Sequence, residues 1–217
     1  MPDYAARRTM MVDTQVRPSD VTKFPIIDAM LATPRELYVP QGQREAAYVG
    51  ENLSIGGGRV MLEPRTLAKL LDALDVQPGD VALDIGCGLG YSSAVLAHMV
   101  DFVVAVEDDA ARVEEAQTNL SENGVDNAAV IEGPLNTGAP KNGPYDIILI
   151  QGAVEEVPDV IIDQLKDGGR IGCVFAEGAL GVARIGHKAD GRIVWRFAFN
   201  AGAPVLTGFE KAAAFVL

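Results

Sequence analysis

The sequence predicts a single α/β domain with a mostly parallel sheet, helices on both faces, an antiparallel C-terminal edge and a helical N-terminal extension. From residue 64 onwards, short apolar runs alternate with amphipathic helical segments, as in repeated strand–helix–strand units. Two runs between residues 179 and 199 flank Asp190-Gly191, which is a hairpin signal. The first 50 residues have helical rather than alternating periodicity.

The composition fits one globular domain and disfavours some classes of partner. The chain has 217 residues, 48% hydrophobic and 22% charged, which is enough for one sizeable core. Its net charge of −12 argues against nucleic acid or an anionic membrane as the main partner, because both attract clustered Lys and Arg. The first residues lead into no long apolar run and no segment approaches the length of a membrane span, so we expect a cytoplasmic protein.

The cysteines and histidines show no pattern typical of a disulfide or a metal site. Cys87 and Cys173 fall in or beside predicted buried strands, which favours reduced core or turn residues. His98 and His187 stand alone, and no Cys/His cluster has metal-ligand spacing. We therefore expect neither a disulfide nor a bound metal.

The N-terminal segments are predicted to be a helix, a loop and a second helix. Ser19-Asp20 can cap a helix that Thr33-Pro34 ends. Residues 51–64 are predicted to form a loop, because the three glycines at 56–58 are costly to order; the loop is either a simple connection or a mobile flap. Pro64 suits the first turn of a helix with one apolar face, formed by Leu67, Leu70, Leu71 and Leu74.

Residues 81–98 are the most informative stretch of the chain. A buried strand runs through Asp84 into the glycine turn Gly86-x-Gly88-x-Gly90, and a helix follows. Glycines permit positive φ and close approach of a ligand, and the free N–H groups of a helix start favour a polar or anionic ligand edge. A dinucleotide-binding turn would have its third glycine one residue later, where Tyr91 stands.

A second acid follows at the end of the next apolar strand, residues 102–107. Glu107 lies about 20 residues beyond the turn, where folds of this kind hold ribose hydroxyls. These features indicate a nucleotide-type cofactor but leave open which nucleotide is bound. A purely structural turn, with Glu107 as a solvated strand end, also remains open.

The remaining pattern predicts a helix over 109–123, strands over 128–131, 145–150 and 170–175, a loop over 135–144, a helix over 157–165 and strand character over 211–217.

The pattern from Asp84 to Gly90 resembles the cofactor motif of class I S-adenosylmethionine (SAM) methyltransferases. The segments around it resemble one family, the protein-L-isoaspartate O-methyltransferases, over roughly residues 10–200. They are Met11-Val-Asp-Thr-Gln-Val-Arg17, Asp28-Ala-Met-Leu-Ala-Thr-Pro-Arg-Glu-Leu-Tyr-Val-Pro40, Ile55-Gly-Gly-Gly58, Tyr145-Asp-Ile-Ile-Leu-Ile150 and Gln164-Leu-Lys-Asp-Gly-Gly-Arg170.

The resemblance implies a Rossmann-like class I methyltransferase that uses SAM to methylate isoaspartyl residues in damaged proteins or peptides. It implies one domain over 1–217, with a helical extension and substrate-side loop over 1–63 and a SAM-binding core over 64–217. The expected cofactor-binding residues are Asp84 at the amino-acid end, Glu107 at the ribose, the turn residues Gly86, Cys87 and Gly88, and Gly133 and Pro134 near the adenine. No catalytic residue is assigned, because an isoaspartyl carboxylate is already ionised at pH 7.

The predicted acceptor loop departs from the family pattern Ile-Gly-x-Gly-Gln-Thr-Ile-Ser-x-Pro. Val60 and Leu62 stand at the Thr and Ser positions, and neither can donate a hydrogen bond to a carboxylate. Arg59 and Arg65 are candidates to replace these donors, because a guanidinium pairs well with a carboxylate; alternatively, both are solvated surface arginines. Two further departures are Gly133-Pro134-Leu135 in place of Gly-Asp-Gly and Gln151-Gly152-Ala153 in place of Thr-Ala-Ala.

These departures leave two rival functions open. One is a divergent methyltransferase with a different acceptor. The other is a non-catalytic SAM-binding scaffold that acts through a partner. The sequence carries no signal for the oligomeric state.

Overall fold

The computed structural model describes residues 3–177 and 180–211. The α-helices are α1 (Tyr4–Met11), α2 (Phe24–Ala32), α3 (Pro64–Leu74), α4 (Tyr91–Ala97), α5 (Ala110–Glu122) and α6 (Asp159–Ile162). The strands are β1 (Leu53–Gly56), β2 (Arg59–Met61), β3 (Val81–Ile85), β4 (Phe102–Glu107), β5 (Ala128–Glu132), β6 (Tyr145–Val154), β7 (Leu165–Glu177), β8 (Leu180–Ala189) and β9 (Arg192–Asn200).

Seven strands form the central sheet, in the order β5-β4-β3-β6-β7-β8-β9. Strands β3 to β7 pair in parallel, and β8 and β9 add an antiparallel edge. This arrangement confirms the predicted fold class. Because parallel strands end at the same side of a sheet, the carboxyl ends of β3, β4 and β6 meet along one edge, where ligands bind in open α/β sheets.

Successive residues of the buried strands pack against helices on opposite faces of the sheet. In β6, Ile147 and Leu149 belong to the core that the N-terminal helices cover, whereas Ile148 and Ile150 pack with Ile161 on the other face. The four leucines predicted on one face of α3 are all buried. None of the described helices has the length and apolar character needed to span a bilayer.

The N-terminal extension is helical, as predicted, but Ser19-Asp20 does not cap α2. The Ser19 hydroxyl donates instead to the Gln15 carbonyl at 2.7 Å, at the end of the preceding helical segment. Asp20 has a φ of 65°, which ends that segment in the left-handed region. The helix begins later, with Lys23 at the N-cap and Pro25 in its first turn.

The prediction of a loop over 51–64 was wrong, because β1 and β2 pair as an antiparallel hairpin over residues 53–61. We call this element the glycine hairpin. Leu53 is opposite Met61, and both side chains are buried against the core. The three glycines at 56–58 have φ values of 88°, 59° and 73° and form the turn. The strands were missed because each is only three or four residues long.

Three later elements also differ from their predicted bounds. The helix expected over 157–165 is a single turn, α6, which begins after Pro158. Strands β6 and β7 extend beyond the predicted 145–150 and 170–175. The hairpin at Asp190-Gly191 is confirmed, with φ values of 52° and 71° at these two residues. The strand character predicted over 211–217 falls almost entirely on residues outside the described part of the chain.

Candidate functional site

The glycine turn lies at the carboxyl end of β3 and requires its glycines. Gly86, Gly88 and Gly90 have φ values of 76°, 59° and 98°, in the left-handed region that favours glycine. A Cβ at position 86 would lie 2.7 Å from Arg59 Nη2, and a Cβ at position 88 would lie 2.6 Å from Ile55 Cδ1. The turn is therefore a close-approach surface, and side chains of the glycine hairpin lie against it.

Asp84 is fully buried beneath this turn and is bonded to three side chains. Its Oδ2 accepts hydrogen bonds from the Ser92 and Ser93 hydroxyls, each at 2.6 Å, and its Oδ1 accepts one from Gln151 Nε2 at 2.9 Å. Burial raises the pKa of the Asp84 carboxyl, and these three hydrogen bonds oppose the rise. Asp84 thus joins β3 to α4 and β6 and fixes the shape of the turn.

Glu107, at the carboxyl end of β4, is also fully buried, so it is not a solvated strand end. Its two oxygens accept paired hydrogen bonds from Arg59, Nη1 to Oε1 at 3.0 Å and Nη2 to Oε2 at 3.1 Å. The Gly88 N–H donates to Oε2 at 2.9 Å, and Arg112 Nη1 donates to Oε1 at 3.3 Å. Burial raises the pKa of Glu107, and the Arg59 guanidinium opposes that rise.

Arg59 connects the glycine hairpin to the carboxyl end of β4 and to the glycine turn that follows β3. Besides Glu107, it donates to Asp108 Oδ1 at 3.1 Å and to the Gly86 carbonyl at 2.9 Å. Its side chain is only 7% exposed, so the alternative of a solvated surface arginine is wrong for Arg59. Asp108 was not among the predicted site residues, although its position directly after the strand-end acid was a usable signal.

Arg65, the other candidate donor, lies elsewhere. Its side chain is 42% exposed and lies 3.7 Å from Glu63 Oε1. Its guanidinium carbon is 5.8 Å from the centre of the Phe199 ring, on the side of the molecule formed by β9. The structure therefore places Arg65 on the surface of α3, outside the cluster around Glu107.

A small cavity of about 20 Å³ separates the glycine hairpin from the glycine turn. A cavity of this size holds about one water molecule. The hairpin therefore closes this part of the site. Val60 and Leu62, which stand at the Thr and Ser positions of the family pattern, line this cavity. Cys87 and Gly88 of the glycine turn line it as well, together with Tyr91 and Gln151.

Farther along the edge of the sheet, two clefts open to solvent. One, of about 490 Å³, is bordered by Gly133 and Pro134, the residues predicted near the adenine, and by Asp108. The other, of about 230 Å³, lies between Asp108 and Arg112. Thr207 borders both clefts. Gly133 N donates to the Glu107 carbonyl at 3.0 Å, so the residues expected to hold the ribose and the adenine lie along one continuous edge.

A C-terminal segment covers part of this edge. Leu206 N donates to the Ala153 carbonyl at 2.9 Å, and Val205 forms a parallel bridge with Ala153. The Leu206 side chain lies against Gly86 and Gly152, where a Cβ would come within 3.4 Å and 2.5 Å of it. No local sequence pattern predicts this contact, because it depends on how the chain returns after β9.

A family model described as protein-L-isoaspartate(D-aspartate) O-methyltransferase matches residues 7–198. A protein-L-isoaspartate O-methyltransferase from Methylorubrum extorquens is 38% identical over 171 residues, which cover 79% of this chain and 75% of the relative. One from Koribacter versatilis is 30% identical over 190 residues, covering 88% and 86%.

Solved structures give the same fold. A protein-L-isoaspartate O-methyltransferase structure matches with a TM-score of 0.80 at 24% identity, covering 94% of this chain and 66% of the other. A Plasmodium falciparum protein-L-isoaspartate O-methyltransferase, in complex with S-adenosyl-L-homocysteine, matches with a TM-score of 0.79 at 19% identity and covers 95% and 99%. By the extent of the family match and the identity of its relatives, this chain belongs to the protein-L-isoaspartate(D-aspartate) O-methyltransferase family.

Proposed function

We propose that this protein is a SAM-dependent methyltransferase that transfers a methyl group to the carboxylate of isoaspartyl residues in proteins or peptides. The observation that carries the proposal is the pairing of β3 with β4, which places the glycine turn beside the buried Glu107 in a chain of this family. The names of its relatives favour this function over a different acceptor and over a non-catalytic scaffold. The net charge of −12 supports a protein rather than a nucleic acid or a membrane as partner.

The residues present fit SAM. The bare backbone at Gly86 and Gly88 permits close approach, and in this structure Arg59 and Ile55 of the glycine hairpin occupy that space, within 2.7 Å of where a Cβ would lie. Glu107 offers a buried carboxylate at the strand end that holds ribose in such folds. The cleft beside Gly133 and Pro134 is open and large enough for a planar base.

Each predicted cofactor residue would then have a distinct task. Glu107 would accept hydrogen bonds from the ribose hydroxyls, and Gly133 and Pro134 would border the adenine. The turn residues Gly86, Cys87 and Gly88 would contact the amino-acid end, with Asp84 holding the turn in place. When bound, SAM supplies an electrophilic methyl group. We further propose that residues 64–217 form the core that binds it and residues 1–63 the substrate-side extension of the same domain.

The acceptor side requires positioning rather than proton transfer. An isoaspartyl carboxylate is ionised at pH 7, so it needs no general base. Val60 and Leu62 form an apolar wall of the small cavity beside the glycine turn. Neither side chain can donate to the acceptor, so Arg59, the residue before Val60 in β2, is the candidate to bind the acceptor carboxylate.

Wild-type protein is expected to bind isotopically labelled SAM and to form methyl esters on an isoaspartyl peptide, but not on the same peptide with ordinary aspartate. Binding is measured by equilibrium dialysis and esterification by release of labelled methanol in base. Binding without ester formation would contradict the isoaspartyl acceptor. Absence of binding would contradict the cofactor assignment.

Substituting Gly86→Ala is expected to weaken SAM binding by at least about 10-fold. The positive φ at this position strains any other residue, so the alanine distorts the turn that is proposed to contact the cofactor. Gly79→Ala is the matched control, because nothing lies within 4 Å of a Cβ there and the residue precedes the same strand. Calorimetric titration measures both affinities; equal affinities in two folded variants would show that the turn does not contact the cofactor.

A further inference from the structure

The carboxylate proposed to hold the ribose is already paired in this structure. Both oxygens of Glu107 accept hydrogen bonds from Arg59, in the parallel geometry with which a guanidinium recognises a carboxylate. A ribose diol needs the same oxygens. Arg59 and the cofactor therefore compete for Glu107, and this competition rests on the proposed function.

Three contacts hold the glycine hairpin in the closed position. Arg59 reaches Glu107 from the first residue of β2, Arg112 Nη2 donates to the Gly56 carbonyl at 3.0 Å, and Ile55 lies against Gly88. The turn between the two strands consists of glycines alone, the residues that change backbone conformation at least steric cost. Opening the hairpin would therefore break the ion pair between Arg59 and Glu107, which a ligand bound to Glu107 can replace. The glycine turn can accommodate the change in backbone conformation.

We propose that Arg59 exchanges one carboxylate for another during the reaction cycle. In the closed conformation it pairs with Glu107, and the hairpin lies over the glycine turn. When a cofactor's ribose occupies Glu107, Arg59 is released and its guanidinium binds the carboxylate of the methyl acceptor. Arg59 is then the residue that positions the acceptor, and the cofactor binds before the acceptor.

The charges around the site support this exchange. Arg112 also donates to Glu107, so the buried carboxylate retains a cationic partner when Arg59 leaves. A ribose diol is neutral, so the displaced guanidinium gains no new anion from it and remains available to a carboxylate. Asp108, which is one-third exposed, can keep one hydrogen bond to Arg59 beside the cleft of about 230 Å³. Arg59 borders this cleft together with Asp108 and Arg112, whereas Val60 and Leu62 line the separate small cavity at the glycine turn.

The exchange predicts opposite effects of one substitution on two ligands. Molecules with a closed hairpin do not bind the cofactor, so the measured association constant is the intrinsic constant multiplied by the fraction of open molecules. Arg59→Met removes the closing ion pair, and we expect S-adenosyl-L-homocysteine to bind about 10-fold more tightly, within the range usual for coupled sites. The same variant loses the cation for the acceptor, so KM for an isoaspartyl peptide is expected to rise by about 10-fold.

Affinity for S-adenosyl-L-homocysteine is measured by calorimetric titration at pH 8, because loss of Arg59 raises the pKa of the buried Glu107 further and alkaline pH keeps it ionised. Arg192→Met, which removes an exposed arginine at the start of β9, is the charge-matched control and is expected to leave the affinity unchanged. Unchanged, weaker or absent binding in Arg59→Met would overturn the exchange.

A second readout uses the wild-type protein and needs no variant to fold. Arginine-specific modification with phenylglyoxal, read by mass spectrometry, is expected to leave Arg59 unreacted in the free protein and to modify it when S-adenosyl-L-homocysteine is added. Arg65, 42% exposed, is the internal reference and should react equally in both states. An Arg59 that reacts no faster with the ligand would overturn the exchange. Neither readout involves methyl transfer, so turnover by the wild-type protein tests the proposed function separately.

Discussion

Replacing Glu107 with glutamine is expected to lower the affinity for SAM by about 100-fold. The carboxylate offers two oxygens to the ribose hydroxyls, whereas the amide offers one, and hydrogen bonds to charged groups contribute about 1.5 to 3 kcal/mol each. Glu107 is fully buried, so water does not substitute for the lost acceptor. Calorimetric titration with S-adenosyl-L-homocysteine measures the change.

The control for this variant is Glu114→Gln, which removes the same charge from the exposed face of α5. Thermal unfolding should accompany the titration, because Arg59 and Arg112 both lose a carboxylate partner and the variant is expected to be less stable. Affinity equal to the control in a folded Glu107→Gln protein would contradict the ribose role. Glu107→Gln is expected to lower the affinity for S-adenosyl-L-homocysteine, whereas Arg59→Met is expected to raise it. Comparing the two variants therefore separates loss of the carboxylate that binds the ribose from loss of the guanidinium that competes for it.

The parts of this site that the sequence predicted are local in the chain. Gly86, Gly88 and the acid Glu107 follow directly from two strand-and-turn patterns, since a left-handed turn favours glycine and an acid that ends the next apolar strand is typical of a ribose contact. Parallel pairing then brings the two strand ends together. Such features depend on a few neighbouring residues, which is why their positions could be inferred before the fold was known.

The parts that were missed depend on contacts between distant segments. Arg59 and Glu107 are 48 residues apart in the chain, and their ion pair exists only because the glycine hairpin packs on the turn. Leu206 and Thr207 reach the site because the chain crosses the edge of the sheet after β9. The exposed position of Arg65 follows from how α3 packs, and the residue type alone did not distinguish it from Arg59.

The second large expected effect is on methylation of the acceptor and concerns the apolar wall of Val60 and Leu62. Restoring the two hydroxyls of the family pattern with Val60→Thr and Leu62→Ser is expected to raise kcat/KM for an isoaspartyl peptide by about 100-fold. Each hydroxyl can donate to the acceptor carboxylate and adds to the charge of Arg59, with about 1.5 to 3 kcal/mol expected from each hydrogen bond to a charged group. Both positions already border the cavity beside the cofactor turn, so the new donors would face the proposed reaction site.

The new serine also has a cost, because Leu62 is 2% exposed and its truncation leaves a cavity. A matched control separates the hydroxyls from the enlarged space: Val60→Ala with Leu62→Ala opens similar room without a donor. The assay compares both double variants with the wild type under saturating SAM, after thermal unfolding has shown that each is folded. If only the hydroxyl pair gains activity, the wild-type wall limits the reaction by lacking donors. Equal gains in the two variants would show that space, not hydrogen bonding, limits entry of the acceptor.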